Sequence, residues 1–295
     1  MLEKNKKTIA VIGLGLIGGS LLKSLKGKGY YLIGVSRSEE TLNKAKNIGI
    51  ADEYSLDVGT VKNADIVFIC APINKIISII DEVSRVVNSD CIITDVASIK
   101  GFIVEHVNNF SSPVKFIGGH PMAGTENKGV GHAVSDLFKD AKWVLTPSKW
   151  SNADNIEVVK KIIGLTGAKV VLADPHEHDR AVAMISHMPL LLSEALIGFL
   201  SNYENKNISE LAFSLAASGF RDTTRLAATN PELAKDMLLA NKANVKEALN
   251  EFKNYLIQVE ENLDTDEEKL ENFIKNAAST RSSMYSPAKA AKPHS

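Results

Sequence analysis

His120 stands in the run Gly118-Gly119-His120-Pro121-Met122-Ala123-Gly124-Thr125-Glu126, after two glycines and before a rigid proline, where a strand-like stretch ends. An imidazole titrates near neutrality, which suits it to take the proton of a hydroxyl whose carbon is being oxidised. Two other strand-like stretches close on small or polar residues, Cys70-Ala71-Pro72 and Asp95-Val96-Ala97-Ser98-Ile99-Lys100, and the second offers the Ser98 hydroxyl. Ligands of an open parallel sheet gather beyond the carboxyl ends of its strands, so these three ends outrank polar positions elsewhere. In Ser218-Gly219-Phe220-Arg221-Asp222-Thr223-Thr224-Arg225, the residues Arg221, Asp222 and Arg225 fit either a surface ion network or a fork for a substrate carboxylate. His187 interrupts an apolar helix, and composition weighs a core role and a site role equally. His176 and His178, two residues apart, point to opposite sides of a helix and read as helix-capping residues; no metal site is expected. His106, His132 and His294 have no chemical context.

The element that must serve these groups lies near the N-terminus. Thr8-Ile9-Ala10-Val11-Ile12, a β-branched run, flows into Gly13-Leu14-Gly15-Leu16-Ile17-Gly18-Gly19-Ser20, a Gly-x-Gly-x-x-Gly turn that opens an apolar-periodic helix. Gly13 permits the tight turn, Gly15 lets the backbone approach a pyrophosphate, and Gly18 allows close helix–strand packing. Leu16 and Ile17 begin the helix, whose unpaired N–H groups and dipole favour a phosphate. A dinucleotide site follows, with Cys70, Ala71 and Pro72 beside the nicotinamide ribose. About twenty positions past the turn, an NAD-binding chain places an acid to accept from the ribose 2′-OH. This chain has Ser36-Arg37-Ser38 there. Ser36 and Ser38 can donate to a 2′-phosphate and Arg37 can pair with it, which predicts NADP; the same residues also form a helix cap that Glu39 completes.

At 295 residues, with 44% hydrophobic and 23% charged, the chain can bury one large core or two ordinary ones. A net charge of -1 without blocks of like charge argues against nucleic acid and anionic membranes as partners. No basic-then-apolar leader opens the sequence, so a cytoplasmic location is expected. Cys70 and Cys91 read as small buried hydrophobes. Strand-like stretches at 8–12, 31–35, 65–70, 91–95, 115–118, 143–146 and 169–172 alternate with amphipathic stretches such as 40–48, 75–87 and 155–165. This alternation predicts an α/β fold, a Rossmann-type doubly wound, mostly parallel sheet, over residues 1–173. Helical periods at 176–200, 231–262 and 264–275 predict an all-helical domain over 174–280, followed by a disordered tail over 281–295. The 176–200 helix is apolar nearly all round from 181 to 200, yet too interrupted by Ser186, His187, Pro189, Ser193 and Glu194 to span a membrane. About 110 residues of helix rarely cover such an element unaided, so a homodimer sharing the helical domain is expected.

Taken in order, the segments 13–20, 95–100 and 119–126, together with Ser186-His187-Met188-Pro189 and 219–225, resemble the prephenate and arogenate dehydrogenase family of tyrosine biosynthesis over residues 8–285. The resemblance implies oxidative decarboxylation of a cyclohexadienyl substrate, with hydride leaving C4 for the nicotinamide and the ring carboxylate departing as carbon dioxide. In that reading His120 accepts the C4 hydroxyl proton and Ser98 hydrogen-bonds that hydroxyl or the imidazole. Arg225 and His187 hold carboxylates, Asp222 orients the arginines, and the partner chain contributes part of each site. Arg221 and Thr125 fall in the same motifs. Glu126 sits where some members carry an acid that gates access, or it meets the ammonium group of arogenate. Many prephenate-using members have a histidine where this chain has Leu190, whereas NADP-dependent, arogenate-specific members similar to cyanobacterial enzymes have an apolar residue. Arogenate is therefore the expected substrate and prephenate the alternative. A frequent tryptophan after Asn230-Pro231 is replaced here by the neighbourhood of Leu233 and Ala234. The rival readings are a β-hydroxyacid or imine reductase, and a non-catalytic NADP-binding sensor.

Overall fold

The structure, a computed structural model, describes residues 6–125, 127–265 and 267–285. It forms two compact units, Met1–Val245 and Lys246–Ser295. In the first, eight strands make one sheet: β1 (Thr8–Ile12), β2 (Tyr31–Val35), β3 (Glu53–Ser55), β4 (Ile66–Ile69), β5 (Ile92–Asp95), β6 (Phe116–Pro121), β7 (Lys142–Pro147) and β8 (Lys169–Leu172). Their order is β3-β2-β1-β4-β5-β6-β7-β8. All neighbours pair in parallel except β6 with β7. The chain reverses direction across the sheet between β1 and β4, where a doubly wound sheet opens its ligand crevice.

Helices α1 (Leu16–Leu25), α2 (Glu39–Ile48), α3 (Ile73–Val86), α4 (Gly101–Asn108) and α5 (Ala153–Gly164) accompany the sheet. Strands covered on both faces read as continuous apolar runs, and β1 shows why. Ile9 and Val11 join one core with Leu21, Leu22, Phe68 and Trp143, while Ala10 and Ile12 join the other with Ile79, Ile80, Ile93 and Phe116. In α3, the buried Ile76, Ile79, Ile80 and Val83 follow the spacing of one helical face. Two strands depart from the sequence reading. The three residues of β3 are too few to show an alternation, and β6 runs on to Pro121 because antiparallel pairing sets His120 opposite Val144 and Pro121 opposite Trp143. His120 therefore belongs to a strand and not to the loop after it.

The helical part begins with α6 (Pro175–Val182), a π-helical turn (Ala183–His187) and α7 (Met188–Ser201), followed by α8 (Lys206–Leu215), α9 (Ser218–Thr223) and α10 (Pro231–Ala240). The continuous stretch Pro175–Ser201 is long and apolar enough to cross a membrane by length and composition, and 28% of its apolar window is buried within the chain. Met184, Ile185 and Phe199 on it stand exposed, as do Leu211 and Leu215 on α8. The helix expected over 231–262 is broken at Asn241, whose side chain bonds elsewhere, so α10 ends there and α11 (Lys242–Thr265) begins. In the second unit α12 (Glu267–Met284) continues well past residue 275, which corrects the expected tail: residues 281–284 are helical. In this last turn the Arg281 guanidinium lies 3.7 Å from the Tyr285 ring centroid. Residues 286–295 of the expected tail lie outside the described residues.

Candidate active site

The glycine turn carries steric constraints at two of its three glycines. Gly13 has φ +98° and donates its N–H to the Val35 carbonyl at 2.8 Å; a Cβ there would lie 2.3 Å from the Cys70 carbonyl oxygen. A Cβ on Gly18 would fall 2.0 Å from the Gly13 carbonyl oxygen. Gly15, by contrast, caps α1 without a side-chain hydrogen bond, and a Cβ on it would meet nothing within 4 Å. Two glycines are thus required by the protein itself, and the third faces open space before the first N–H groups of α1. Leu16 and Ile17 lead that helix. The cradle fits a dinucleotide pyrophosphate.

At the carboxyl ends of β5 and β6, a buried ion pair fixes the residue before His120. The fully buried Lys100 bonds Asp95, and its Nζ also donates to the Gly119 carbonyl at 2.9 Å. Asp95 in turn accepts from the Gly119 N–H at 3.0 Å and from the Ala97 N–H at 2.9 Å. Both backbone groups of Gly119 are therefore clamped. Burial draws the Lys100 ammonium below its ordinary value, while Asp95 and Asp179 oppose that effect. Gly119 must be glycine because a Cβ would lie 2.5 Å from the Asp95 carbonyl oxygen.

His120 then meets a relay from α6. Its Nδ1 is 2.9 Å from Nε2 of His178, and Nδ1 of His178 is 2.8 Å from a carboxylate oxygen of Asp179. Asp179 also accepts from the backbone N–H groups of Lys100 at 2.7 Å and Gly101 at 2.8 Å, holding the start of α4. A carboxylate accepts, so His178 donates from Nδ1 and, as a neutral ring, accepts at Nε2. His120 consequently donates from Nδ1, which leaves its Nε2 with a free lone pair. Burial first, then the electrostatic influence of His178, Lys100 and His187, holds the His120 imidazole well below its ordinary value. A neutral imidazole with a directed lone pair is the form a general base requires.

The fully buried His187 closes the π-helical turn, and burial lowers it to about 4, with Asp179 opposing and His178 assisting. Its Nδ1 lies 3.1 Å from the Asn241 amide nitrogen, and its Nε2 is buried without a hydrogen-bond partner among the described residues.

The comparisons agree with this architecture. A family profile described as "Prephenate dehydrogenase, nucleotide-binding domain" matches residues 21–172, and one described as "Prephenate dehydrogenase, dimerization domain" matches residues 174–276. Prephenate dehydrogenase of Bacillus subtilis (strain 168) is 31% identical over 99% of this chain and 80% of its own length. Among solved structures, Synechocystis arogenate dehydrogenase superposes with a TM-score of 0.86 at 36% identity, covering 94% of this chain and 99% of that one. Prephenate dehydrogenase from A. aeolicus, in complex with hydroxyphenyl propionate and NAD+, gives 0.87 at 29% identity over 96% and 99%. This chain belongs to the prephenate and arogenate dehydrogenase family.

As a member of that family it is an oxidoreductase with a Rossmann-type nucleotide-binding domain. The remaining residues singled out from its sequence are less assembled than His120. Ser98 is half-buried between the clamped Asp95 and Lys100, and its hydroxyl makes no hydrogen bond among the described residues. Ser36 is buried, with its hydroxyl bonded to the Ser38 backbone, and Ser38 caps α2 by accepting from the Thr41 N–H at 3.2 Å. The cap read from the sequence is thus Ser38's, but Glu39 does not complete it: it is the first residue of α2, and the N3 position is Thr41. Arg37 pairs with Glu82 of α3 at 3.2 Å. Cys70 lies against the glycine turn, and burial raises its thiol, as it raises that of Cys91 to about 12. Ala71 and Pro72 lead into α3. The segment around Arg225 is helical and exposed, where the sequence suggested a polar loop between buried helices. Asp222 pairs with Arg221 at 3.0 Å, and Arg225 has no partner among the described residues, so Asp222 orients one arginine only. Ser193 of α7 tethers this segment by donating to the Thr223 carbonyl at 3.1 Å and accepting from the Ala227 N–H at 3.2 Å. Thr125 is exposed and accepts from the Asn127 N–H, and Glu126 lies outside the described residues. Leu190 is buried on α7.

Sequence reasoning missed His178, Lys100 and Asn241. The cap of α6 is Asp174, which accepts from the N–H groups of His176 and Glu177. His178 lies four residues before the buried Val182, a spacing that marks the inner face of the helix. Lys100 follows Asp95 by five residues, and a lysine next to Ile99 in a mostly apolar segment signals a buried pair.

Proposed function

We propose that this enzyme converts arogenate to tyrosine by NADP-dependent oxidative decarboxylation. The observation that carries the catalytic reading is the relay from Asp179 through His178 to His120, which leaves His120 Nε2 as an acceptor at the carboxyl end of β6. In the proposed reaction His120 takes the proton of the C4 hydroxyl, C4 becomes a carbonyl-like carbon, and the ring carboxylate leaves as carbon dioxide while the ring becomes a phenol. Ser98 supplies a hydrogen bond to that hydroxyl. Arg225, with Arg221 and His187, meets carboxylate oxygens; Asp222 steers Arg221, and Thr125 and Glu126 border the substrate. When bound, the dinucleotide supplies the hydride acceptor for C4. Gly13, Gly15, Leu16, Ile17 and Gly18 would hold its pyrophosphate and Cys70, Ala71 and Pro72 its nicotinamide end.

NADP is favoured because the end of β2 offers Ser36, Arg37 and Ser38 and no acid. Arg37 is exposed and held only by a surface pair, worth about 0–1 kcal/mol, so a 2′-phosphate can recruit it. Arogenate is favoured by the apolar Leu190 and by the similarity to Synechocystis arogenate dehydrogenase. The second reading, prephenate as substrate, draws on the name of the B. subtilis relative. We take the helical domain from residue 174 as the interface of a homodimer, which would cover Met184, Ile185, Phe199 and Leu215. The test is to follow reduced-nicotinamide absorbance with arogenate or prephenate, each with NADP or NAD. Arogenate with NADP is expected to give the highest kcat/KM. A higher value with prephenate overturns the substrate, a higher value with NAD overturns the cofactor, and no turnover with any pair overturns the enzyme reading in favour of a nucleotide sensor.

A further inference from the structure

His187 and Asn241 form a second buried polar pair, 54 residues apart in sequence, to which the relay assigns no task. Three bonds orient the Asn241 amide. Its oxygen accepts from the Asn244 amide at 2.8 Å, and its nitrogen donates to the Asp179 backbone carbonyl at 2.8 Å and faces His187 Nδ1 at 3.1 Å. An amide nitrogen has hydrogens and no acceptor capacity, so His187 Nδ1 must be bare and the ring hydrogen must sit on Nε2. That N–H is buried with no protein acceptor among the described residues. A buried donor without an acceptor is destabilising, and native proteins keep few of them. The π-helical turn ending at His187 is a second mark of function, since such turns concentrate at sites.

We propose that Asn241 is a positioning residue that locks His187 as the neutral Nε2–H tautomer, and that this N–H donates to a carboxylate oxygen of the substrate. The proposal rests on the site assigned above and specifies one of its contacts. The two histidines are held in complementary states: His120 with a bare Nε2 that accepts, His187 with an Nε2–H that donates. Asp179 supports both, through its side chain to His178 and through its carbonyl to Asn241. A neutral donor also adds no positive charge beside His120, so it leaves the base neutral; a cationic His187 would depress it further.

The experiment is nitrogen NMR on the full chain with labelled histidine, without substrate, at neutral pH. His187 is expected to show a protonated Nε2 and a bare Nδ1. A protonated Nδ1 in the wild type overturns the proposal, and that measurement needs no variant. In Asn241→Asp the new carboxylate accepts at Nδ1, so the proton is expected to appear there. KM for the substrate should then rise about tenfold or more, with kcat changing less than about threefold. Asn241→Ser, which keeps a donor, should recover most of the affinity. An unmoved tautomer in Asn241→Asp overturns the role of Asn241. A moved tautomer with unchanged KM instead overturns His187 as a substrate contact while leaving the lock intact.

Discussion

His178 is the residue whose role departs furthest from its sequence context. It stands four residues after a capping aspartate in a polar hexapeptide, yet it is buried and bonds the ring of a histidine 58 residues away. Replacing it with leucine leaves the His120 Nδ1–H without an acceptor and frees the ring to hold its proton on Nε2. We expect His178→Leu to lower kcat by about 10²- to 10⁴-fold, the range of a lost general base or a wrong-tautomer catalytic histidine, while dinucleotide affinity measured by titration stays within about twofold. Turnover within threefold of wild type would remove His178 from the relay. His120 itself was legible because it closes an apolar run after two glycines. His178, Lys100 and Asn241 were not, because each acts through a partner brought close only by the tertiary fold.

Among the elements, the β1–α1 turn separates residues required for folding from residues required for binding. Gly13→Ala forces a Cβ against the Cys70 carbonyl at a left-handed φ, so it should destabilise the fold by several kcal/mol, on the order of the larger single-residue effects, seen as a drop in Tm. Gly15→Ala meets open space and should change stability by about 1 kcal/mol or less, yet weaken dinucleotide binding at least about tenfold, because the added methyl stands where the pyrophosphate approaches. Equal stability losses in the two variants would contradict this division. Seven of the eight strands were legible from apolar runs: the central strands are buried on both faces and leave an unbroken apolar signature, and the exposed edge strand β8 is marked by Val170 and Val171. The break at Asn241 was hidden inside a helical period, because the amide is used for a tertiary contact that no local pattern encodes.

At the scale of the molecule, two buried neutral histidines make stability depend on acid. The folded His187 value of about 4 lies below the ordinary 6.5, and His120 is lowered in the same sense. Between those values the unfolded chain binds the protons that the folded chain refuses, so stability is fully present above pH 6.5 and falls as pH drops toward 4. The slope should reach about 1.4 kcal/mol per pH unit for each histidine, measured by denaturant unfolding across that window. A flat profile there would mean that neither ring is held neutral. The apolar surface of Pro175–Ser201 and α8 sets the other expectation at this scale. Ile185→Glu should shift sedimentation from dimer toward monomer and lower activity with it; a wild-type sedimentation profile would place the interface elsewhere. The helical domain could be outlined from its periods, but its partner face was inferred only from an excess of apolar positions that a single chain cannot cover.

Asp179 ties three stretches of chain that are synthesised far apart: its carboxylate holds the amides that begin α4 and the ring of His178, and its carbonyl holds Asn241. A nascent chain that has emerged only through β8 already contains the glycine cradle, β6 and His120, but nothing that dictates which nitrogen of that ring carries the hydrogen. On the proposed reaction, turnover therefore requires α6 to be docked, whereas the glycine cradle that faces the nucleotide is built entirely by β1, α1 and the end of β4.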